Sequence, residues 1–297
     1  MEVFQTGTYD ISDLNNLQEI QPLEFAKKTV LKRLNYLIGF IKKEKPEILQ
    51  NYITKLNIKF VKLITDSYLN EKRIKTDDIC KDFIHLKVYP DLLYNCLNYY
   101  LQLLSINFTK DWTQNKFKVS NKNYIQSFLY HRYYNALVLT EILERNQAIQ
   151  LYKNYIDAYV KSTAPERNRC ETLEEFRSSR IPKEGDPPNI GWEIVHGIIE
   201  NGKYPQRKDT CMWDDAIKDL PDIELKYLAA CYGDFQGAKR ENKHFVLTMN
   251  HTIVKGDPYC SCIFHDTRIN WDLTHPPKEY WDNIWPLQEW QKKETDS

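Results

Sequence analysis

Glycine is scarce in this chain, with nine in 297 residues. No glycine-rich loop is present to cradle a phosphate, and neither a G-x-S-x-G elbow nor an H-E-x-x-H pair occurs. A surplus of either charge is missing too. Lys plus Arg and Asp plus Glu both number 41, so the formal net charge is zero. Neutralising phosphates takes a basic surplus or stripe, so no nucleic-acid partner is expected. The densest charged run, KKEK at 42–45, reads as a solvated helix face. No window approaches the roughly 18 apolar residues that span a bilayer, so no membrane partner is expected. The opening MEVFQTGTYD lacks the charged-then-apolar layout of a secretory signal. Internal repeats and low-complexity tracts are absent.

Thiols and aromatics are plentiful instead. Cys80, Cys96, Cys170, Cys211, Cys231, Cys260 and Cys262 form an odd, irregularly spaced set. They read as free thiols in a reducing compartment, so a soluble cytoplasmic protein is expected. Twenty tyrosines raise the aromatic share to 13%, which suits aromatic-rich packing or a ligand pocket.

The chain divides by hydrophobic period. Residues 1–22 read as polar and loose. From 23 to 160 the pattern is helical, with Leu31, Leu34, Ile38 and Ile41 on one stripe and Pro46 and Pro90 at first-turn positions. The long run from Tyr124 to Val160 is expected to break near Arg145-Asn146. Residues 161–190 read as a connection with at most one short helix, closed by a hard turn at KEGDPPN. Beyond it, GWEIVHGIIENG is a β-type run. DTCMWDDAIKDLPDIELKYLAACYGD is helical, broken at Pro221 and stopped at Gly233, and HFVLTMNHTIV and YCSCIFHD are strands around KGDP. The expected fold is α+β: a helical N-terminal region at 1–160, then a small antiparallel sheet packed with helices at 191–270. A Trp-rich tail at 271–297 is expected to lie over the core.

A two- or four-residue hairpin loop would put Ile253 opposite Cys260 and His251 opposite Cys262. One face would then carry Leu247, Met249, His251, Ile253, Cys260, Cys262 and Phe264. A Cys–His pair on such a face is the arrangement that makes a nucleophilic thiolate, whereas cysteine is otherwise a small core residue. Cys211 follows the N-cap types Asp209 and Thr210, so it would sit in a helix's first turn, where free N–H groups favour a thiolate. Cys231 lies at the end of the next helix, with Asp234 just past Gly233. Zinc competes for the same residues, but there is no C-x₂-C pair and C-x-C suits tetrahedral ligation poorly. No metal or cofactor is expected.

The order of these residues resembles the L-2-amino-thiazoline-4-carboxylic acid hydrolase family over about residues 190–267. That family shows a helix-opening cysteine with an acid close behind, a C-x-x-D element, and a hairpin with Thr, Gly and then Cys-Asp-Phe. Here these are Cys211 with Asp214 or Asp215, then Cys231 and Asp234, then Thr252, Gly256 and Cys260. Cys260-Ser261-Cys262 stands in place of Cys-Asp-Phe. The resemblance implies hydrolytic opening of a small cyclic amidine, 2-amino-thiazoline-4-carboxylate, to N-carbamoyl-cysteine. The expected roles are Cys231 or Cys260 as nucleophile, His251 as base and Asp234 as orienter, with Cys211, Asp215, Thr252 and Cys262 around the substrate. A thiol-dependent transferase or cyclase of specialised metabolism, and a non-catalytic small-ligand-binding protein, are the alternatives. The expected partner is a small molecule.

Overall fold

The computed structural model describes residues 2–68, 79, 81–107, 111–163, 169–183 and 190–284. Cys80, most of KEGDPPN and the tail beyond Ile284 lie outside the described residues. The fold is α+β, as expected. The chain forms two compact units: residues 14–159 with 219–230, and residues 1–13, 160–218 and 231–297.

The helical unit contains α1 (Pro22–Ala26), α2 (Lys32–Glu44), α3 (Leu49–Leu63), α4 (Pro90–Leu103), α5 (Asn121–Thr140), most of α6 (Arg145–Thr163), and α9 (Ile223–Ala230). Pro46 opens a 3₁₀ turn ahead of α3, and Pro90 begins α4, where a missing N–H costs nothing. The expected stripe of Leu31, Leu34, Ile38 and Ile41 is buried. The long helical run breaks at Glu141–Glu144, just before the expected place. The Arg145 guanidinium, bonded to Asp222 at 2.8 and 3.0 Å and to Glu224 at 3.1 Å, ties the start of α9 to this unit. Within residues 1–22, expected to be loose, Leu17–Ile20 forms β2 and pairs with β3 (Phe117–Ser120).

The other unit is built on a five-stranded antiparallel sheet in the order β1-β4-β5-β7-β6. Its strands are β1 (Phe4–Thr6), β4 (Ile194–His196), β5 (Lys203–Lys208), β6 (Phe245–Met249) and β7 (Cys260–Asp266). β1 again corrects the expectation of a loose N-terminus: Phe4, Gln5 and Thr6 supply the edge ladder against β4. On one face, Phe176 of α7 (Leu173–Ser178) packs with Tyr204 and Phe245, while Ala238 of α10 (Asp234–Glu241) packs with Leu247, Cys260 and Cys262. Gly233 caps α10 at its start rather than merely stopping α9. α8 (Met212–Ala216) is a single turn and a half with Cys211 as its N-cap. On the opposite face, Trp281 of α11 (Lys278–Asn283) is fully buried against Tyr259, Ile263 and Ile284. No helix among the described residues is long and apolar enough to cross a membrane.

That opposite face also carries a chain of hydroxyls and imidazoles. Ser261 Oγ lies 3.0 Å from His251 Nδ1 and 2.9 Å from His275 Nε2. Thr248 Oγ1 lies 3.0 Å from His275 Nδ1 and 2.8 Å from His265 Nε2. His275 also stacks on Trp281 at 5.1 Å, so the network fastens the segment leading to α11 onto the sheet. Burial, with Lys203 nearby, pushes His265 down to about 4. Burial and the neighbouring His251, His265 and Lys203 push His275 down to about 4. A depressed folded-state imidazole contributes stability that is complete above the ordinary value of 6.5 and is lost as pH falls toward about 4. Urea unfolding between pH 4.5 and 7 should show stability rising with pH, and His275→Gln should flatten that rise. Trp281→Ala should cost about 3–5 kcal/mol in the same assay, since it empties a filled core position.

Candidate active site: a thiol-lined cavity

The register of β5 against β7 places Lys208 directly across from Cys260, and Gln206 across from Cys262. Facing residues of an antiparallel pair share one side of the sheet. Lys208 is therefore on the thiol face, within the electrostatic reach of Cys262, Asp234, Cys260 and Cys211. Cys231 in turn feels Asp234, Cys211 and Cys260. Five of the expected site residues, Cys211, Cys231, Asp234, Cys260 and Cys262, are thus brought together around a lysine.

The protonation states follow from burial. Cys260 is pushed up to about 12, chiefly by burial, although Lys208 and the Ile253 N–H (N···Sγ 3.3 Å) favour its thiolate. Burial likewise raises Cys262 against the pull of Lys208. Burial and then Asp234 hold Cys231 well above the ordinary thiol range. Cys211 has the most help. The N–H groups of Asp214 and Trp213, the Lys208 ammonium and the Trp192 indole all favour its thiolate, yet burial still outweighs them. Burial pulls Lys208 down, and Cys262, Asp234, Cys260 and Cys211, when ionised, pull it up above the ordinary lysine value. At neutral pH the cluster is four thiols around one ammonium.

His251 does not join them. β6 ends at Met249, which faces Cys262, and the chain then turns through the 3₁₀ segment Ile253–Lys255 to Gly256 at φ +93°. His251 lies opposite Ser261, giving its N–H to Ser261 Oγ and accepting the Ser261 N–H at its carbonyl. Met249 opposite Cys262 but His251 opposite Ser261 is a one-residue offset, and a one-residue offset turns a side chain to the other face. The imidazole expected beside Cys262 is therefore on the far side of the sheet. Leu247, Met249, Ile253 and Phe264 do pack on the thiol face, as expected.

Two further expected residues serve the frame. The Asp215 carboxylate accepts the Tyr9 hydroxyl at 2.8 Å. The Thr252 N–H donates to Asp257 at 2.7 Å, and its carbonyl accepts the Lys255 and Asp257 N–H groups, which shapes the turn before β7. Among the described residues, no three His, Cys, Asp or Glu side chains are grouped to hold a metal ion.

A cavity of about 310 Å³ opens on the thiol face between the sheet and α10. Cys262, Lys208 and Asp234 line it, whereas Cys231, Cys260 and Cys211 do not. The sheet also supplies Thr6 and His196, which sequence reasoning missed. Thr6 Oγ1 is 2.7 Å from His196 Nε2, and the Tyr204 hydroxyl is 2.5 Å from Nδ1. Burial, with Arg177, Arg180 and Lys208 nearby, pushes His196 down to about 3, so its ring is neutral. Lys208 was missed as well. Its signal was the period-two spacing of Tyr204, Gln206 and Lys208, interrupted by Pro205.

In comparisons with known proteins, the chain matches no family model, no curated protein and no solved structure. The likeness to the L-2-amino-thiazoline-4-carboxylic acid hydrolase family rests on the motif residues alone. One consequence of the burial is direct. Iodoacetamide should label Cys260 in the folded protein at least about tenfold more slowly at pH 7 than an unperturbed thiol, because each unit of upward shift removes that much thiolate, and Cys262 should be slowed as well. Peptide mass spectrometry across pH 6–10 reads this out.

Proposed function

We propose that the cavity binds a small cyclic amidine acid, such as 2-amino-thiazoline-4-carboxylate, and that a cavity thiol opens it hydrolytically. The observation that carries this reading is that Lys208, Asp234 and Cys262 line one cavity. Each meets one part of such a molecule: an ammonium for the carboxylate, a carboxylate for the amidinium, and a thiol for the electrophilic carbon between nitrogen and sulfur. The motif order from Cys211 through Cys231-x-x-Asp234 to Cys260 supports the same substrate class.

In this reading Cys262 Sγ, rather than Cys231 or Cys260, adds to the ring carbon. Its proton passes to the ring sulfur as the carbon–sulfur bond opens. Water then attacks the enzyme-bound amidinium carbon, the bond to Cys262 breaks with its electron pair on Sγ, and the thiol and a urea leave with one proton released. Cys211, Cys231 and Cys260 form the wall behind Lys208. Binding without turnover is the second reading, and it is favoured by the burial that holds all four thiols protonated.

The test is incubation with 2-amino-thiazoline-4-carboxylate in ¹⁸O-labelled water. Hydrolysis gives N-carbamoyl-cysteine carrying one labelled oxygen, and transfer to another acceptor gives product without it. Cys262→Ala should keep binding and lose turnover by about 10²-fold or more. Asp234→Asn and Lys208→Met should weaken binding about tenfold, the loss of a charge-assisted contact. Binding without product supports the second reading, and absence of binding removes both.

A further inference from the structure

The cavity is longer than one thiazoline ring needs, and its two ends differ in charge. α10 runs along it from Asp234 to Glu241, and seven residues of helix span about 10.5 Å. At the first end lie Asp234, Lys208 and Cys262. At the other, Glu241 stands 3.6 Å from Arg169 and 4.0 Å from Arg180, and all three line the cavity. One carboxylate thus faces two guanidiniums at long distances, which leaves a cationic surplus there. Arg180 lies over the Phe176 ring at 4.6 Å, a cation–π contact that favours this placement of the guanidinium.

The remaining wall is mixed, with His196 and Gln206 on its polar side. Its apolar side is Ala238, Leu247 and Phe264, together with Gly237. Glycine inside a helix costs about 1 kcal/mol relative to alanine, so its presence in α10 needs a reason. A Cβ built at Gly237 meets nothing within 4 Å, so the glycine leaves open space over the middle of the cavity.

We propose that this cavity recognises an elongated, bipolar ligand. Its amidine-like head lies at Asp234, and a second, anionic group about 10 Å away is held by Arg169 and Arg180, with an apolar spacer over Gly237. This rests on the reading of Asp234 as the amidine-binding acid and extends it. The favoured substrate is then a cyclic amidine acid conjugated through an apolar linker to a further carboxylate or similar anion, not the free ring compound.

The experiment uses ω-guanidino carboxylates as rulers, titrated calorimetrically into the full chain: guanidinoacetate, 4-guanidinobutyrate and 6-guanidinohexanoate. Affinity should rise along the series, with the longest at least about tenfold tighter than the shortest, the worth of one additional charge-assisted contact. Arg180→Ala and the Arg169→Ala/Arg180→Ala pair should abolish the length preference while guanidinoacetate binding persists. Gly237→Leu, which suits a helix and fills the open middle, should weaken only the longer probes. Equal affinity along the series, a length preference that survives both arginine variants, or no binding of any probe overturns the anionic subsite. Failure of the hydrolase reading is separate: a length preference intact with no turnover of 2-amino-thiazoline-4-carboxylate removes the hydrolysis and leaves the subsite standing.

Discussion

Strand β7 is hydrogen-bonded on both sides and covered on both faces, and everything chemical in its unit depends on that. Because successive residues point to opposite faces, CSCIFHD is two half-sequences interleaved. Cys260, Cys262 and Phe264 look toward α10 and the cavity. Ser261, Ile263 and His265 look toward α11 and the histidine network. Neither half can be moved without displacing the other. The hydroxyl of Ser261 and the thiol of Cys262 are neighbours in the chain and belong to separate chemistries.

Electrostatically the thiol face is governed by Lys208. An ammonium placed among four thiols would ordinarily generate a thiolate. Here burial wins over attraction at every sulfur, so the thiols stay protonated and Asp234 is the neighbour left to favour the lysine's charge. A ligand carboxylate beside Lys208 would weaken the field that favours the thiolates, whereas an amidinium beside Asp234 would strengthen it. The sign of a bound group therefore matters to the thiol–thiolate balance as much as its shape does.

Much of the architecture was legible from period and punctuation. The stripe in α2, the prolines opening α3 and α4, the break before α6 and the strands flanking KGDP all follow local rules, and local rules held there. Strand spacing placed Cys260 and Cys262 on one face, whereas Cys211, Cys231 and Asp234 were joined to them by the order of motif residues in the family resemblance rather than by helix spacing. It failed where one residue of offset decided the outcome. His251 turned to the wrong face because the connection before β7 coils into a 3₁₀ turn at Ile253–Lys255, and no hydrophobic pattern records that offset. It failed again where partners are remote. Phe4–Thr6 is too short and too polar to read as a strand without β4, and Lys208 shows its role only once β5 is laid against β7. Length-scale information of this kind, such as the bipolar cavity along α10, exists only after folding.

The pairing of β1 with β4 carries a last consequence, for synthesis. Thr6 meets His196 across 190 residues. A chain leaving the ribosome N-terminus first exposes Phe4–Thr6 long before its partner strand exists, and closing so large a loop is slow. The core strands β5, β6 and β7 emerge later still, and the helical unit too waits for its last helix, α9, at residues 219–230. Until Ile194–His196 has been made, the first strand is an unpaired edge that a chaperone or another nascent chain would find open. The thiol cavity, lined by residues as far apart in sequence as Thr6 and Phe264, therefore cannot close before β7 has been made.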